Sequence, residues 1–399
     1  MSLSTTGGAP TAYHLRPARG WLNDPNGMVF HQGRWHVFFQ HNPQGPWHRQ
    51  IAWGHASSSD LLRWREHPVA FTPQSEGPDS FGCWSGVLVT GLERPAVVYS
   101  GVTGADGHST VCLRWSMDAD LDTWSDPVVV ATTPEVDDVA VMRDPFVFRH
   151  GGHRYAVLGA GLRSGTPVIL LYGCDDIERW EYLGVWLTGD DEALAGALPA
   201  DVWECPQLAV WGDRASLVVS LHDRGVLGQV MACTGAYGSD DAGRPVLGVD
   251  RVDLLDDGAD FYAPQLAPDG REGFWLMGWV REDGPEESAG DHAGCMTVPR
   301  RLVLEDGTPR LLLDPLAAQG LAWQRAEPVE GAALEGQLSL EVSAAGARLE
   351  HPRHGVRSLP EGTRVLVDGA VLEVYPPQGP PATFRDPVPW RWASPAGPV

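Results

Sequence analysis

The chain has 399 residues, 43% of them hydrophobic, enough for two or three domains with packed cores. Its formal charge is −23, so nucleic acid and anionic membranes are excluded as partners by repulsion, and phosphorylated substrates are disfavoured more weakly. All 29 Lys-plus-Arg positions are Arg, which excludes a pyridoxal phosphate Schiff base and a phosphate-loop lysine, and no G-x-G-x-x-G links a strand to a helix.

Residues 1–12 carry neither a basic stretch nor an apolar run, so a flexible tail without a secretory leader is expected. Six cysteines, scattered and without C-x-x-C, fit reduced thiols in a cytoplasm. From there on, short apolar runs (35–39, 96–99, 154–158, 217–221, 274–277) alternate with turns drawn from 47 Gly and 33 Pro. Such runs predict strands, and no long 3.6-residue periodicity competes with them; the fold class is all-β.

The strands repeat. Asp60-Leu61-Leu62-Arg63-Trp64, Asp120-Leu121-Asp122-Thr123-Trp124 and Asp176-Ile177-Glu178-Arg179-Trp180 share D-[LI]-x-x-W. Half a period away stand Asn23-Asp24-Pro25, the weaker Cys83-Trp84-Ser85-Gly86, Arg143-Asp144-Pro145, Glu204-Cys205-Pro206 and Tyr262-Ala263-Pro264. Positions 24, 84, 144 and 204 lie 60 apart. Five repeats of about four strands predict a five-bladed β-propeller, since a two-sheet sandwich supplies no reason for such a period. The propeller is expected over 13–315. A small β-sandwich module is expected over 320–399, with strands at 338–342, 364–367 and 371–375, a hairpin turn at Asp368-Gly369, and loop or tail from 380.

In a propeller the inner strands face one axis, so Asp24, Asp144 and Glu204 are expected to share one pocket. Clustered carboxylates raise one another's pKa and separate into an acid and a base or nucleophile, the pair that glycoside cleavage needs. Among the 17 Trp, those at 64, 124 and 180 read as structural, and Trp53, Trp84, Trp203 and Trp279 as pocket candidates for stacking on sugar. Asn occurs only at 23, 26 and 42, beside Asp24 and downstream of it. The 14 His form no H-E-x-x-H or paired zinc spacing, so neither a metal nor a cofactor is indicated. His31 and His36 read as surface residues, and His55 as a residue shaping the pocket.

Trp21-Leu22-Asn23-Asp24-Pro25-Asn26-Gly27 closely resembles the W-M-N-D-P-N-G signature of glycoside hydrolase family 32, the β-fructofuranosidases. Phe39-Gln40-His41-Asn42-Pro43, Trp53-Gly54-His55-Ala56, Arg143-Asp144-Pro145, Trp203-Glu204-Cys205-Pro206, Phe261-Tyr262-Ala263-Pro264-Gln265 and Gly278-Trp279 resemble its later motifs, and 368–375 its C-terminal sandwich strand. The resemblance implies a retaining enzyme that releases terminal β-fructofuranosyl units from sucrose or short fructo-oligosaccharides. It makes Asp24 the nucleophile, Glu204 the acid/base and Asp144 the transition-state stabiliser, with nucleophile and acid ~5–5.5 Å apart. Arg143 is expected to keep Asp144 ionised, and a neutral Cys205 thiol to favour protonated Glu204. Asn23, Gln40, Trp53, Ser85 and Trp279 would line the fructose subsite; Trp47, Trp84, Arg143, Cys205 and Tyr262 complete the substrate-binding candidates. Three features depart from the family pattern: Trp84-Ser85-Gly86-Val87 replaces F-S-G-S, an extra residue stands in 46–50, and the last module is short. A fructosyltransferase, an inverting arabinanase or xylosidase, and a non-catalytic sugar-binding propeller are the alternatives.

Overall fold

The computed structural model describes residues 13–105, 108–270, 273–282, 291–343 and 346–394, so the expected tail at 1–12 lies outside the described residues. Alternation of apolar residues with Gly and Pro turns produces five antiparallel sheets in chain order. The first holds Gly20–His31, Arg34–Asn42, Ala52–Ser58 and Trp64–Glu66. The second holds Gly82–Val89, Ala96–Val102, Ser109–Trp115 and Val128–Ala131. Val139–His150, His153–Leu162, Pro167–Gly173 and Glu181–Thr188 form the third. The fourth is Val202–Trp211, Arg214–Asp223, Val226–Ser239 and Pro245–Leu254. The fifth is Phe261–Pro268, Phe274–Val280, Arg300–Glu305 and Thr308–Leu313. Among the described residues the only helix is Pro315–Gln319, started by the Asp314 side chain accepting from Leu316 N and Ala317 N.

The first strands of successive sheets touch in order, and that of the fifth returns to that of the first. A short link reinforces this return. His292–Ala293 pairs in parallel with Gly20 and Trp21, and Cys295–Met296 pairs with Trp279 and Val280 of the fifth sheet.

Each first strand carries a two-against-one bulge at the same place. The extra residues are Asn23-Asp24, Trp84-Ser85, Asp144-Pro145, Cys205-Pro206 and Ala263-Pro264, opposite Gln40, Ser100, Leu158, Val219 and Gly278 respectively. Proline supports this, because it cannot donate to the ladder and is tolerated at a bulge. Asp144, Cys205 and Ala263 accordingly sit at φ 60°, 47° and 44°, in the left-handed region. The D-[LI]-x-x-W repeats are corners: Trp124 Nε1 donates to Leu121 O at 3.1 Å and Trp180 Nε1 to Ile177 O at 2.9 Å.

Residues beyond the helix form two smaller sheets. One holds Gln324–Arg325, Gln337–Glu341, Arg364–Asp368, Val371–Tyr375 and Ala382–Arg385; the other holds Gly355–Leu359, Ala347–His351 and Arg391–Trp392. The loop or tail expected from 380 is therefore corrected, since this stretch adds a strand to each sheet. Two apolar anchors explain it: Phe384 and Trp392 are buried in a core shared with Leu349, Val365 and Val374. The junction with the fifth sheet is ionic and buried. Arg300, fully buried, donates to Asp256 Oδ2 (2.6 Å), Thr383 Oγ1 (2.6 Å) and Tyr375 Oη (3.1 Å). His14 places Nδ1 2.9 Å from Asp368 Oδ2 and Nε2 3.3 Å from Glu373 Oε1.

Candidate active site

The bulges bring the three carboxylates together, though from different positions within the repeat. Glu204 precedes its bulge, Asp144 is the first bulged residue of its strand, and Asp24 the second. The 60-residue phase read from the sequence is thus offset by one residue from each carboxylate to the next, while Trp84 and Asp144 occupy the same bulge position. A change of one position along a strand turns a side chain to the other face, and the bulge undoes that turn.

Asp24 is clamped. Its Oδ1 accepts from Asn23 Nδ2 at 3.0 Å; its Oδ2 accepts from Ser85 Oγ at 2.6 Å, Gln40 Nε2 at 2.8 Å and Cys205 Sγ at 3.7 Å. Burial pushes its carboxyl above the usual range; hydrogen bonds from Ser85 and Asn23 oppose this, and the Glu204 charge adds to it. Asp144 is held by its own backbone, whose N–H donates to Ser100 Oγ at 2.7 Å. Its Oδ2 accepts from Cys205 N at 3.0 Å and Cys205 Sγ at 3.5 Å. Burial raises this carboxyl to about 7, with the Glu204 charge adding and Arg143 opposing.

Glu204 stands further out, its side chain 15% exposed. Arg143 Nε donates to its Oε1 at 2.8 Å and Tyr262 Oη to its Oε2 at 2.7 Å; the same hydroxyl lies 3.1 Å from Leu221 O. The charge of Arg143 lowers the Asp144 pKa as expected, but burial and the Glu204 charge outweigh it, and the guanidinium itself is engaged by Glu204. One expectation is corrected here. The Cys205 thiol faces Asp24 and Asp144 rather than Glu204, and burial beside those two carboxylates lifts it far above an ordinary thiol, so it stays protonated and donates. Below the carboxylates, Gln265 Nε2 donates to Gly86 O and its Oε1 accepts from Met28 N, both at 2.8 Å, tying three first strands into a floor.

The aromatic candidates divide. Trp84, half-buried, stands over the bulge of the second sheet, with the His48 ring 5.8 Å away; His48 lies 6.2 Å from Trp21, and Trp21 lies 5.8 Å from Trp279. Trp53 does not line the pocket: it is fully buried against Phe38, Phe71 and Tyr99, its Nε1 donating to Trp84 O. Trp203 is likewise buried and donates to Leu198 O. Trp47 lies in an adjoining hollow, apart from the carboxylates. His36 and His55 correct the sequence reading as well. Neither is at the surface or in the pocket: both are buried, His36 stacked on His55 and His55 on His67, beside Asp122, between the first two sheets. Sequence reasoning missed Ser100, which no motif marks, and His48, whose signal was its place in the departing segment 46–50.

Residues 14–315 match the Glycosyl hydrolases family 32 N-terminal domain. The chain is 31% identical to a raffinose invertase of Escherichia coli, over 92% of this chain and 80% of that protein. It is 33% identical to the sucrose-6-phosphate hydrolase of Bacillus subtilis, over 76% of this chain and 64% of that one. A family 32 β-fructofuranosidase of Bombyx mori superposes with a TM-score of 0.73 at 25% identity, covering 95% of this chain and 89% of that one; a mutant of that protein has been solved in complex with sucrose. Among the described residues no helix is long and apolar enough to cross a membrane.

Proposed function

The chain belongs to glycosyl hydrolase family 32 and is a fructosyl-releasing β-fructofuranosidase-type glycoside hydrolase, and from that premise we propose that it cleaves neutral β-fructosides by double displacement at Asp24 and Glu204. The observation that carries the proposal is the difference between the two carboxylates. Asp24 is fixed deep by donors on both oxygens, as an in-line nucleophile must be; Glu204 stands outermost, where a leaving oxygen departs.

In the first half-reaction, Asp24 Oδ attacks the anomeric carbon of the fructosyl unit while Glu204 gives its proton to the glycosidic oxygen. The leaving alcohol departs and a fructosyl ester remains on Asp24. In the second, Glu204 takes a proton from water, whose oxygen attacks the same carbon and releases Asp24 and β-fructofuranose. Asp144 holds sugar hydroxyls and opposes the positive charge that grows on the ring. The Cys205 thiol, protonated and shared between Asp24 and Asp144, relieves the repulsion between those two carboxylates.

Cyclic contact of the five first strands supports reading the 13–315 unit as a closed five-bladed propeller, with 320–399 as a short sandwich that has its own apolar core. Six buried free thiols support a cytoplasmic setting. The test is proton NMR of sucrose in the first minutes of reaction. Early β-fructofuranose with matching glucose is expected; α-anomer first would overturn the double displacement. Glu204→Ala should lower kcat by about 10²–10⁴.

A further inference from the structure

Three histidines and a carboxylate that the reaction does not use meet between the first two sheets. His36 and His55 stand on neighbouring strands, Arg34–Asn42 and Ala52–Ser58. His67 N donates to His55 O at 2.9 Å, which brings the two rings together at 4.2 Å between centroids. Asp122 comes from a corner of the second sheet, where buried Leu121 sits at φ 63° and Asp118 Oδ1 accepts from Asp122 N at 3.1 Å. Its Oδ1 lies 3.1 Å from His55 Nδ1 and 3.0 Å from His67 Nδ1, and the three atoms are all within 4.8 Å of one another. Strand pairing assembles this set, so the spacing of histidines along the chain does not show it.

Proton accounting leaves a gap at the centre. The far nitrogen of each ring already has a partner: His55 Nε2 is 2.9 Å from His36 Nδ1, and His67 Nε2 is 2.8 Å from Ser57 Oγ. A hydrogen bond to the His31 backbone uses the ring proton of His36, so His36 Nδ1 accepts and neutral His55 spends its one proton on Nε2. His55 Nδ1 is then a bare lone pair facing a carboxylate oxygen. His55 is fully buried, where an imidazolium is disfavoured. A metal cation between the two atoms ends the confrontation without a proton.

The surroundings are those of metal-bound histidine, whose second nitrogen is fixed by a further partner that orients the ring. His36 serves His55 in this way. Ser57 Oγ, with two lone pairs, accepts from both Arg34 Nε and His67 Nε2. A tetrahedral ion about 2.0–2.1 Å from nitrogen and oxygen ligands holds them about 3.3 Å apart, close to the 3.1 and 3.0 Å found here. The Asp122 side chain is 34% exposed, which leaves a path from solvent and a fourth position for water. Two imidazoles and one carboxylate suit zinc and its neighbours better than magnesium or calcium. His351, His354 and Asp386 also lie together, but His351 Nδ1 accepts from two backbone N–H groups and its Nε2 faces Val388 O at 3.0 Å, so His351 has no lone pair left for an ion.

We propose that His55, His67 and Asp122 bind a divalent cation of the zinc class that clips the first sheet to the second. Phe38 stacks on His55, and Trp53 stands between Phe38 and the Trp84 backbone, so the ion is set apart from the carboxylates and stabilises the fold without entering the reaction.

The test takes the full chain without an affinity tag, strips it with a chelator and titrates Zn²⁺ by calorimetry, following thermal unfolding and sucrose hydrolysis in parallel. One ion per chain is expected, with unchanged hydrolysis and a thermal midpoint that climbs with Zn²⁺; at 100 times Kd the unfolded-to-folded ratio falls about 100-fold. Ser57→Ala, which removes only the partner behind His67, should weaken binding about 10–100-fold, and Asp122→Asn more. His354→Gln should bind as the wild type does. Absence of saturable binding to the wild type overturns the proposal and leaves a proton to fill the gap. Binding that survives Asp122→Asn overturns it too, as does loss of the ion in His354→Gln, which places it among the C-terminal sheets, or a single ion that abolishes hydrolysis, which places it on Asp24, Asp144 and Glu204. Should Asp122→Asn fail to fold, X-ray absorption of the zinc-loaded wild type decides: two imidazoles on the metal are expected, and oxygen ligands alone overturn the proposal.

Discussion

Asp144→Asn should stabilise the fold while it cripples the enzyme, and the gain should grow with pH. Burial first, and the Glu204 charge second, raise Asp144 from an ordinary 3.8 to about 7. A carboxyl with a raised folded pKa carries no penalty below its unfolded value, where both states are protonated. As pH rises from about 4 to 7 the unfolded chain ionises and the folded one resists, and stability falls. Above about 7 the full penalty stands, about 4 kcal/mol at about 1.4 kcal/mol per tenfold change in proton affinity. Asparagine, which does not ionise, escapes it. The amide carbonyl introduced at this position can still accept from Cys205 N and Sγ, and the charge-assisted part of those bonds is already contained in the raised value of about 7. The net expectation is a gain of about 4 kcal/mol at pH 8.5 and of about 1 kcal/mol or less at pH 4.5, with kcat down about 10²–10³. Urea unfolding at the two pH values measures it. Equal effects at both, or a larger gain at the acid end, would refute the assignment of a raised pKa to Asp144.

His14→Gln should act in the opposite sense. Burial lowers the pKa of His14, but its bonds to Asp368 and Glu373 prevail and raise it, so its contribution is full below about 6.5 and lost as pH rises through the folded value. A loss of about 3 kcal/mol in urea unfolding at pH 6, shrinking by pH 9.5, is expected. Asp79→Asn leaves buried Arg114 without its carboxylate partner at 2.8 Å and should cost about 3–5 kcal/mol at pH 7. Because burial is outweighed by bonds from Tyr99 and Arg114, Asp79 is held low; the wild type loses this advantage as pH falls below about 4 through the folded value, and the thermal midpoints of the two should draw together over that fall. All six cysteines are buried, and none should react with a thiol reagent until urea unfolds the chain; one fast thiol in the native protein would contradict that burial.

The sheets were legible because their signals are local. Strand runs between glycines and prolines appear in the structure within a few residues of where alternation placed them, and Asp368-Gly369 turns the predicted hairpin with Gly369 at φ 61°. Burial of particular side chains was less legible, because it depends on which sheet packs on which. Trp53 and Trp84 both lie near the carboxylate positions in sequence, yet Trp53 fills the seam between two sheets and Trp84 stands at the mouth. The histidines show the same limit: His36 and His55 alternate along neighbouring strands as surface residues can, and only Asp122 from the next sheet makes their stack a buried polar cluster. Strands in 382–392 were hidden by Pro and Arg, and are held by Phe384 and Trp392 reaching a core set by earlier segments.

The candidate site was picked out by a count that the structure then modifies. Sixty-residue spacing pointed to 24, 144 and 204, but the bulge makes Asn23, Trp84, Asp144, Cys205 and Ala263 the equivalent residues. A strictly periodic set of carboxylates would present three like oxygens at one depth, with similar surroundings and similar proton affinities. The one-residue offsets prevent this. Asp144 meets the Cys205 backbone, Asp24 meets Gln40 and Ser85, and Glu204 is left outermost between Arg143 and Tyr262. Different roles for chemically similar groups require different environments, and here the bulge supplies them by moving each carboxylate one step along otherwise equivalent strands.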